Sequence, residues 1–555
     1  MTSVTRLIAV AMIFALPVFS HGAAQANNTL VIGVTQYPST FHPNIDSMLA
    51  KSYVHGLTRR PITTMDANWE TVCVLCETLP TLENGGAKLE KTPDGKDGIA
   101  VTYTIKDAAQ WGDGIPITVD DVVFTWEVGK HPKSGVASSE GYRRILSIDR
   151  VDDKTFTLHV DRRTFDYNNL STLGLLPAHI DRPKFTDPAT YKIQTVFDTD
   201  PMNPGLFMGP YVMTEAKTGS HMVFEKNKKW WGKEPAFDKI TVRVIENTTT
   251  LEANLLSGGI DMISGELGLN VDQALAFEKR HGSKFNILFK PGLIYEHIDL
   301  MLDNPVLQDR RVRQALMYAT DRKAISERLF GGKQPVAHTG VNPLDWVYDP
   351  EVPKYAFDLN KADALLNDAG WKRKGGGMRV NSNGDPLRFQ IMTTAGNRTR
   401  ELVEQVLQSQ WKAAGISIDI RNEPARVFFG ETVTKRKFPD MAMFAWISAP
   451  ESVPRTTLHS KEIPTEANNW SGQNYTGFSN PDMDELLEKI ELELDKDKRK
   501  EMWAKLQNIY ATELPALPLY FRANSFILPK WLTGIEPTGH QFPTTLWVED
   551  WRIER

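Results

Sequence analysis

Apolar side chains recur along this chain at two spacings, every second position and every third or fourth, and the two spacings take turns from end to end. Residues 29–35 (TLVIGVT) read as a buried strand. Residues 103–105 form a short β-prone run. Gly112-Asp113-Gly114 marks a turn, because glycine accepts backbone angles that other residues resist. Thr118 is placed to cap a helix, and Asp121, three residues on, completes a capping box. Val119, Val122, Val123 and Trp126 then share one helical face. Residues 155–160 (TFTLHV) alternate as a half-buried strand, and residues 241–245 read as another. Val312, Leu316 and Ala319 fall on one helical face. Residues 381–385 (NSNGD) are a hairpin turn, and a helix over 402–413 leads through Gly415 into a strand over 416–420. Asn480 caps a further helix with Pro481 at its first position. The lysine- and aspartate-rich residues 495–500 read as the solvated middle of that helix. Strands alternating with helices throughout predict an α/β architecture.

Charge and composition narrow the class. Residues 1–26 read as a secretory signal peptide: Arg6 is the positive start, residues 7–19 are an apolar run too short to span a bilayer comfortably, and Ala24-Gln25-Ala26 is a cleavage site. The mature chain is then expected to begin at Asn27, exported to a bacterial periplasm and not itself inserted in a membrane. Removing the signal removes one Arg and no acid, which leaves 63 basic against 69 acidic residues, or −6. That balance does not suggest a nucleic-acid binder. With 41% hydrophobic residues, about 529 mature residues exceed what one core holds, so two or more lobes are expected. Cys73 and Cys76 are the two cysteines. A structural pair, as a local disulfide or as free thiols, is the simplest reading, because no long helix follows for a redox site and no second pair completes a zinc site. No GxSxG elbow, HExxH or P-loop occurs and the 12 histidines are scattered, so neither an enzyme nor a cofactor is expected.

Residues 103–128 (YTIKDAAQWGDGIPITVDDVVFTWEV), with strand, tight turn, Pro-x-Thr and helix in order, resemble a signature of the family 5 solute-binding proteins, the extracytoplasmic receptors of peptide- and nickel-type ABC transporters. Further segments resemble the family in the right order. They include residues 173–180 (LGLLPAHI), 209–212 (GPYV), 224–232 (FEKNKKWWG), 304–325 (NPVLQDRRVRQALMYATDRKAI), 355–371 (YAFDLNKADALLNDAGW), 440–446 (DMAMFAW), 474–487 (NYTGFSNPDMDELL) and 514–521 (LPALPLYF). About eight ordered matches cover nearly all of the mature chain. The resemblance implies a two-lobed periplasmic binding protein (type II, cluster C-like) hinged by two crossings, with an extra inserted domain. The corresponding division takes residues 27–62, 185–292 and 522–555 as lobe I, 63–184 as the inserted domain and 293–521 as lobe II. It also implies a monomeric receptor that delivers a peptide or peptide-like solute to a membrane permease. An opine, an oligosaccharide or a metal chelate in the same cleft is the alternative cargo, and a periplasmic enzyme or chaperone the more distant one.

A lobe interface that binds a solute needs aromatic walls and a few placed polar groups. Ser47, Met48 and Leu49 match the family's first-lobe ligand loop, and Ala445, Trp446 and Ile447 lead its second. In peptide-binding members an acid shortly after the "gW" pairs with the peptide's amino terminus. Here Ala449 stands at that place and Glu451 is the nearest acid. Either Glu451 takes the role through a shifted loop, or the ligand has no free α-amine. Arg455 is a partner for a ligand carboxylate or phosphate, or a surface arginine. Asn469, Trp470 and Asn474 form either a hydrogen-bonding wall with a stacking ring or a surface loop. His42, where the family usually has an acid, is a ligand contact or a satisfied loop histidine.

Overall fold

The computed structural model describes residues 28–554 apart from 46, 47, 138, 172, 376, 425, 426 and 469–471. The expected signal peptide and the expected contacts Ser47, Asn469 and Trp470 lie outside the described residues.

One mixed sheet of ten strands runs through the molecule. At its centre lie two long antiparallel strands, Phe285–Leu300 and Ala516–Pro529. On one side the sheet continues through Met262–Ile263, Thr29–Val34, Lys239–Val244, His221–Lys226 and Tyr211–Lys217. On the other it continues through Met441–Ile447, Arg388–Met392 and Ser417–Ile420. Each half has its own core. Ile32, Tyr53, Phe224, Val242 and Trp551 close the first, and Leu300, Leu316, Ile391, Leu407 and Trp411 close the second. The architecture is therefore α/β and two-lobed.

The two long strands are the crossings, and their pairing changes register between the lobes. Residues 285–291 pair with 523–529, and from Ile294 onward the partners are Arg522 and the residues before it. The two residues left over, Gly292 and Leu293, form a bulge against the loop at Gly539: Leu293 N–H donates to the Gly539 carbonyl at 2.8 Å. A side chain at Gly292 would begin 2.5 Å from that same carbonyl oxygen, so only glycine lets the strands pass there.

A four-stranded antiparallel sheet, Ala87–Lys91, Asp97–Thr104, Thr155–Val160 and Ile145–Arg150, carries a third core that includes Tyr103, Trp111, Val122 and Phe156. Its helix Val119–Lys130 begins with the expected capping box at Thr118 and Asp121. Asp121 does more than cap. Buried, it also accepts from Ala178 N–H at 2.8 Å and Trp111 Nε1–H at 3.3 Å, tying the motif of residues 103–128 to that of residues 173–180. Cys73 and Cys76 are joined by a disulfide beside this core.

The expectation for residues 495–500 is corrected. The helix Pro481–Leu492 stops, and Asp495 opens a new helix, Lys496–Glu513, by accepting from Asp497 N–H (3.0 Å) and Lys498 N–H (3.1 Å). Among the described residues no helix is long and apolar enough to cross a membrane.

Candidate functional site

A cavity of about 580 Å³ opens between the lobes. Its floor is the helix Leu49–Thr58, whose two faces are set by its apolar spacing. Ala50, Tyr53, Val54 and Leu57 turn into the first core, which leaves Leu49, Ser52 and His55 along the cavity. Gly56 lets the helix sit on the C-terminal segment: a Cβ there would lie 2.2 Å from Thr545 Oγ1, and that hydroxyl donates to Tyr53 O at 2.7 Å. Met48, Tyr142, Leu175 and Phe542 form the sides, and Ile447 faces them from the other lobe.

The cationic side chains of this wall are engaged by the protein itself. Arg59 donates to the carbonyls of Leu206 (2.6 Å) and Leu175 and lies over the rings of Trp111 and Phe197. Burial pushes its guanidinium down to about 9. Arg60 pairs with Glu549 at 2.5 Å. Behind the cavity, buried Lys51 donates to the carbonyls of His42, Pro43 and Ile45 at 2.6–3.1 Å and fixes the 42–45 turn. His42 is part of that turn. Its Nδ1 accepts from Asn44 N–H and Ile45 N–H, which puts the ring proton on Nε2, 3.1 Å from Tyr191 Oη. Burial, followed by the Lys51 charge, holds the His42 imidazole well below its usual range.

A second cavity, of about 180 Å³, lies inside lobe II. The strand Met441–Ile447 runs antiparallel to Phe285–Leu300, with Trp446 opposite Tyr295 and Phe444 opposite His297. Directly opposed residues share a face of the sheet. Alternation therefore aims Tyr295, His297 and Asp299 at this cavity together with Trp446, while Ile298 and Leu300 enter the core. Tyr295 stacks on His297 with centroids 5.0 Å apart, and its hydroxyl lies 2.8 Å from Tyr510 Oη. Trp446 stacks on Tyr475 at 5.8 Å. Ile447, 54% exposed, lines both cavities, so the two meet at this side chain.

Of the expected contacts, the structure brings Met48, Leu49 and Ile447 around the first cavity, and Trp446 and Ile447 around the second. Four are placed elsewhere. Ala445 sits opposite Glu296, on the face turned away from the lobe II cavity. Glu451 is held within lobe II: its carboxylate accepts from Arg499 Nε–H at 2.5 Å and Trp346 Nε1–H at 3.1 Å, and it lines neither cavity. Burial, partly offset by Arg499, raises that carboxyl above its usual range. Arg455 points to Glu491 (3.5 Å) and Glu488 (3.8 Å) of the helix Pro481–Leu492. Asn474 is fully buried and used in its own turn, donating to His459 O and Phe478 O and accepting from Phe478 N–H. Sequence reasoning missed Tyr295, His297, Asp299 and His55. The signal for the first three was the period of two in residues 294–300 (IYEHIDL), with Ile294, Ile298 and Leu300 on one face and Tyr295, His297 and Asp299 on the other.

The family described as bacterial extracellular solute-binding proteins, family 5 Middle, matches residues 88–463. The oligopeptide-binding protein AppA of Bacillus subtilis is 26% identical over 526 residues, which cover 93% of this chain and 90% of AppA. The oligopeptide binding protein of Thermus thermophilus, solved in complex with a pentapeptide, superposes with a TM-score of 0.73 at 29% identity, over 95% of this chain and 96% of that one. NikA from Brucella suis, solved with Fe(III)-EDTA, reaches 0.78 at 18% identity over 95% of this chain and 100% of its own, a likeness of fold alone. With the family match spanning more than half of its residues and its two lobes built on the same plan, this chain belongs to the bacterial extracellular solute-binding proteins of family 5.

Proposed function

We propose that this protein is the periplasmic receptor of an ABC importer, a monomer that takes a peptide or peptide-like solute between its lobes and presents it to a membrane permease. The observation that carries the reading is the cavity of about 580 Å³, walled by lobe I and by Tyr142 and Leu175 of residues 63–184, and faced by Ile447 of lobe II. Its cationic side chains are already engaged with protein carbonyls and Glu549, so the wall suits a largely uncharged backbone. AppA is named as an oligopeptide-binding protein, and the Thermus thermophilus structure holds a pentapeptide. In this reading residues 27–62, 185–292 and 522–555 form lobe I, 63–184 the inserted domain and 293–521 lobe II. The distinct cores of lobe I and lobe II support the division between those two, while the inserted segment shares the lobe I core through Phe124, Val128 and Leu176. Met48, Leu49, Trp446 and Ile447, which line the two cavities, are the proposed contacts. Hinge closure on the bulge at Gly292 would trap the solute, as in other periplasmic binding proteins.

A second reading, a non-peptide solute, is favoured by one observation: Ala449 stands where peptide binders carry the amine-anchoring acid, and Glu451 is held by Arg499. Native mass spectrometry of protein purified from its own periplasm decides between them. A ladder of peptide masses and an N-terminus at Asn27 are expected. A single non-peptide mass would transfer the function to the second reading.

A further inference from the structure

We propose that Asp299 is the counter-ion for a cationic group of the solute, an ammonium or guanidinium seated in the lobe II cavity beside the Trp446–Tyr475 stack. The inference rests on the receptor reading above and names the chemistry of one end of the cargo. It follows from comparing the acids of this part of lobe II. Glu296 is buried between Arg400 (2.6 Å) and Arg522 (2.5 Å). Glu451 is held by Arg499, and Asp345 accepts from the Glu451 and Val347 N–H groups. Asp299 differs. It is 5% exposed, yet it lines the cavity, and among the described residues its one ion-pair contact is His297 Nε2 at 3.2 Å.

His297 is a weak partner. Its Nδ1 faces the Tyr295 carbonyl at 3.2 Å, and a carbonyl only accepts, so Nδ1 carries a proton that is spent there. Nε2 is buried and forms no hydrogen bond of its own with the described residues. A carboxylate in such a place is costly unless a cation joins it. The surroundings suit one: Tyr295, Trp446 and Trp503 line the cavity, and aromatic rings attract cations. The field of Asp299 reaches the wall. Burial first, and then Asp299, push the Tyr475 phenol up to about 12. The volume of about 180 Å³ holds several water-sized groups, hence an amine on a short alkyl chain. Access is at Ile447, where the large cavity begins.

The test uses n-butylamine hydrochloride and 1-butanol as a charged and an uncharged probe of similar shape. Each is titrated into the full-length mature protein while tryptophan fluorescence is followed, since Trp446 and Trp503 both line the cavity. The amine is expected to bind at least tenfold more tightly than the alcohol. Asp299→Asn, with an unchanged circular dichroism spectrum, is expected to erase that preference. Equal affinities in the unmodified protein overturn the proposal without any variant, which covers the case in which Asp299→Asn does not fold. A preference that survives Asp299→Asn overturns it as well. The receptor reading is judged separately. Peptide masses recovered from the periplasm, together with no amine preference, would leave that reading standing and remove Asp299. An Asp299-dependent amine preference with no peptide recovered would do the reverse.

Discussion

Glu451 shows how one side chain's role depends on a partner far away in sequence. Read along the chain it is the acid nearest the family's anchoring position, and in the fold it belongs to Arg499, 48 residues on. Glu451→Gln is therefore expected to lower stability by about 2 kcal/mol, the range for a hydrogen bond to a charged group, and to leave solute affinity unchanged. Urea unfolding and calorimetry on one preparation check both halves. His540 offers a pH test. Its Nε2 lies 2.8 Å from Asp66 O and its Nδ1 accepts from Phe542 N–H, and burial pushes the imidazole down to about 4. Its unfolded value is near 6.5, so between the two values the unfolded chain binds more protons and stability falls as pH falls. The contribution is present above pH about 6.5 and, at about 1.4 kcal/mol per pH unit, about 3 kcal/mol of it is lost by pH about 4. The stability difference between the unmodified protein and His540→Gln should narrow across that window in thermal melts. A constant difference would mean that the ring is not held neutral.

The helix Val119–Lys130 is the best-specified element, and it is still richer than its sequence pattern. Val119 and Val122 pack into the core of the four-stranded sheet, as the apolar spacing predicts, with Val123 and Trp126 against it. Phe124 and Val128 point the other way, into the core of lobe I. The helix is thus clamped between two cores, and its start must be well placed for both. Thr118→Ala removes the hydroxyl that accepts from Asp120 N–H and should cost about 1 kcal/mol of stability. Calorimetric unfolding measures it. Asp121 has an additional duty, because its second oxygen holds Ala178. The strand Phe285–Leu300 is the opposite case. Its first half is broken by Pro291 and Gly292 and did not read as a strand, yet it spans both lobes because its partner Ala516–Pro529 supplies hydrogen bonds on both sides of the bulge.

Across the whole molecule, the two lobes share those long strands, and a buried charge cluster sits where the strands enter lobe II. Glu296 joins Arg522 of the neighbouring strand to Arg400 of the helix Arg398–Ala413. Burial raises the Glu296 carboxyl, and the Arg522 and Arg400 charges outweigh that and hold it below its usual range. Removing one member of such a cluster leaves uncompensated buried charge. Glu296→Gln should destabilise the protein by about 3–5 kcal/mol, seen as a lower midpoint in guanidinium unfolding. A change below about 1 kcal/mol would mean that the cluster is hydrated and carries little of the fold.

What the sequence determined by itself is local. Capping at Thr118 and Asn480, the turn at residues 381–385, the strands near 29–35 and 155–160 and the ordered family motifs depend on neighbours within a few positions, so they are visible along the chain. Met48, Leu49, Trp446 and Ile447, which line the two cavities, were reached as candidates because they flank those motifs. Tertiary structure alone decided which polar groups are already matched. Glu451, Arg455 and Asn474 looked available in sequence and are taken by Arg499, by Glu488 and Glu491, and by the backbone at His459 and Phe478. Asp299 looked ordinary and faces a cavity. The physical reason is that burying a charge is costly until it meets its partner, and the partner is brought by chain crossings, not by spacing.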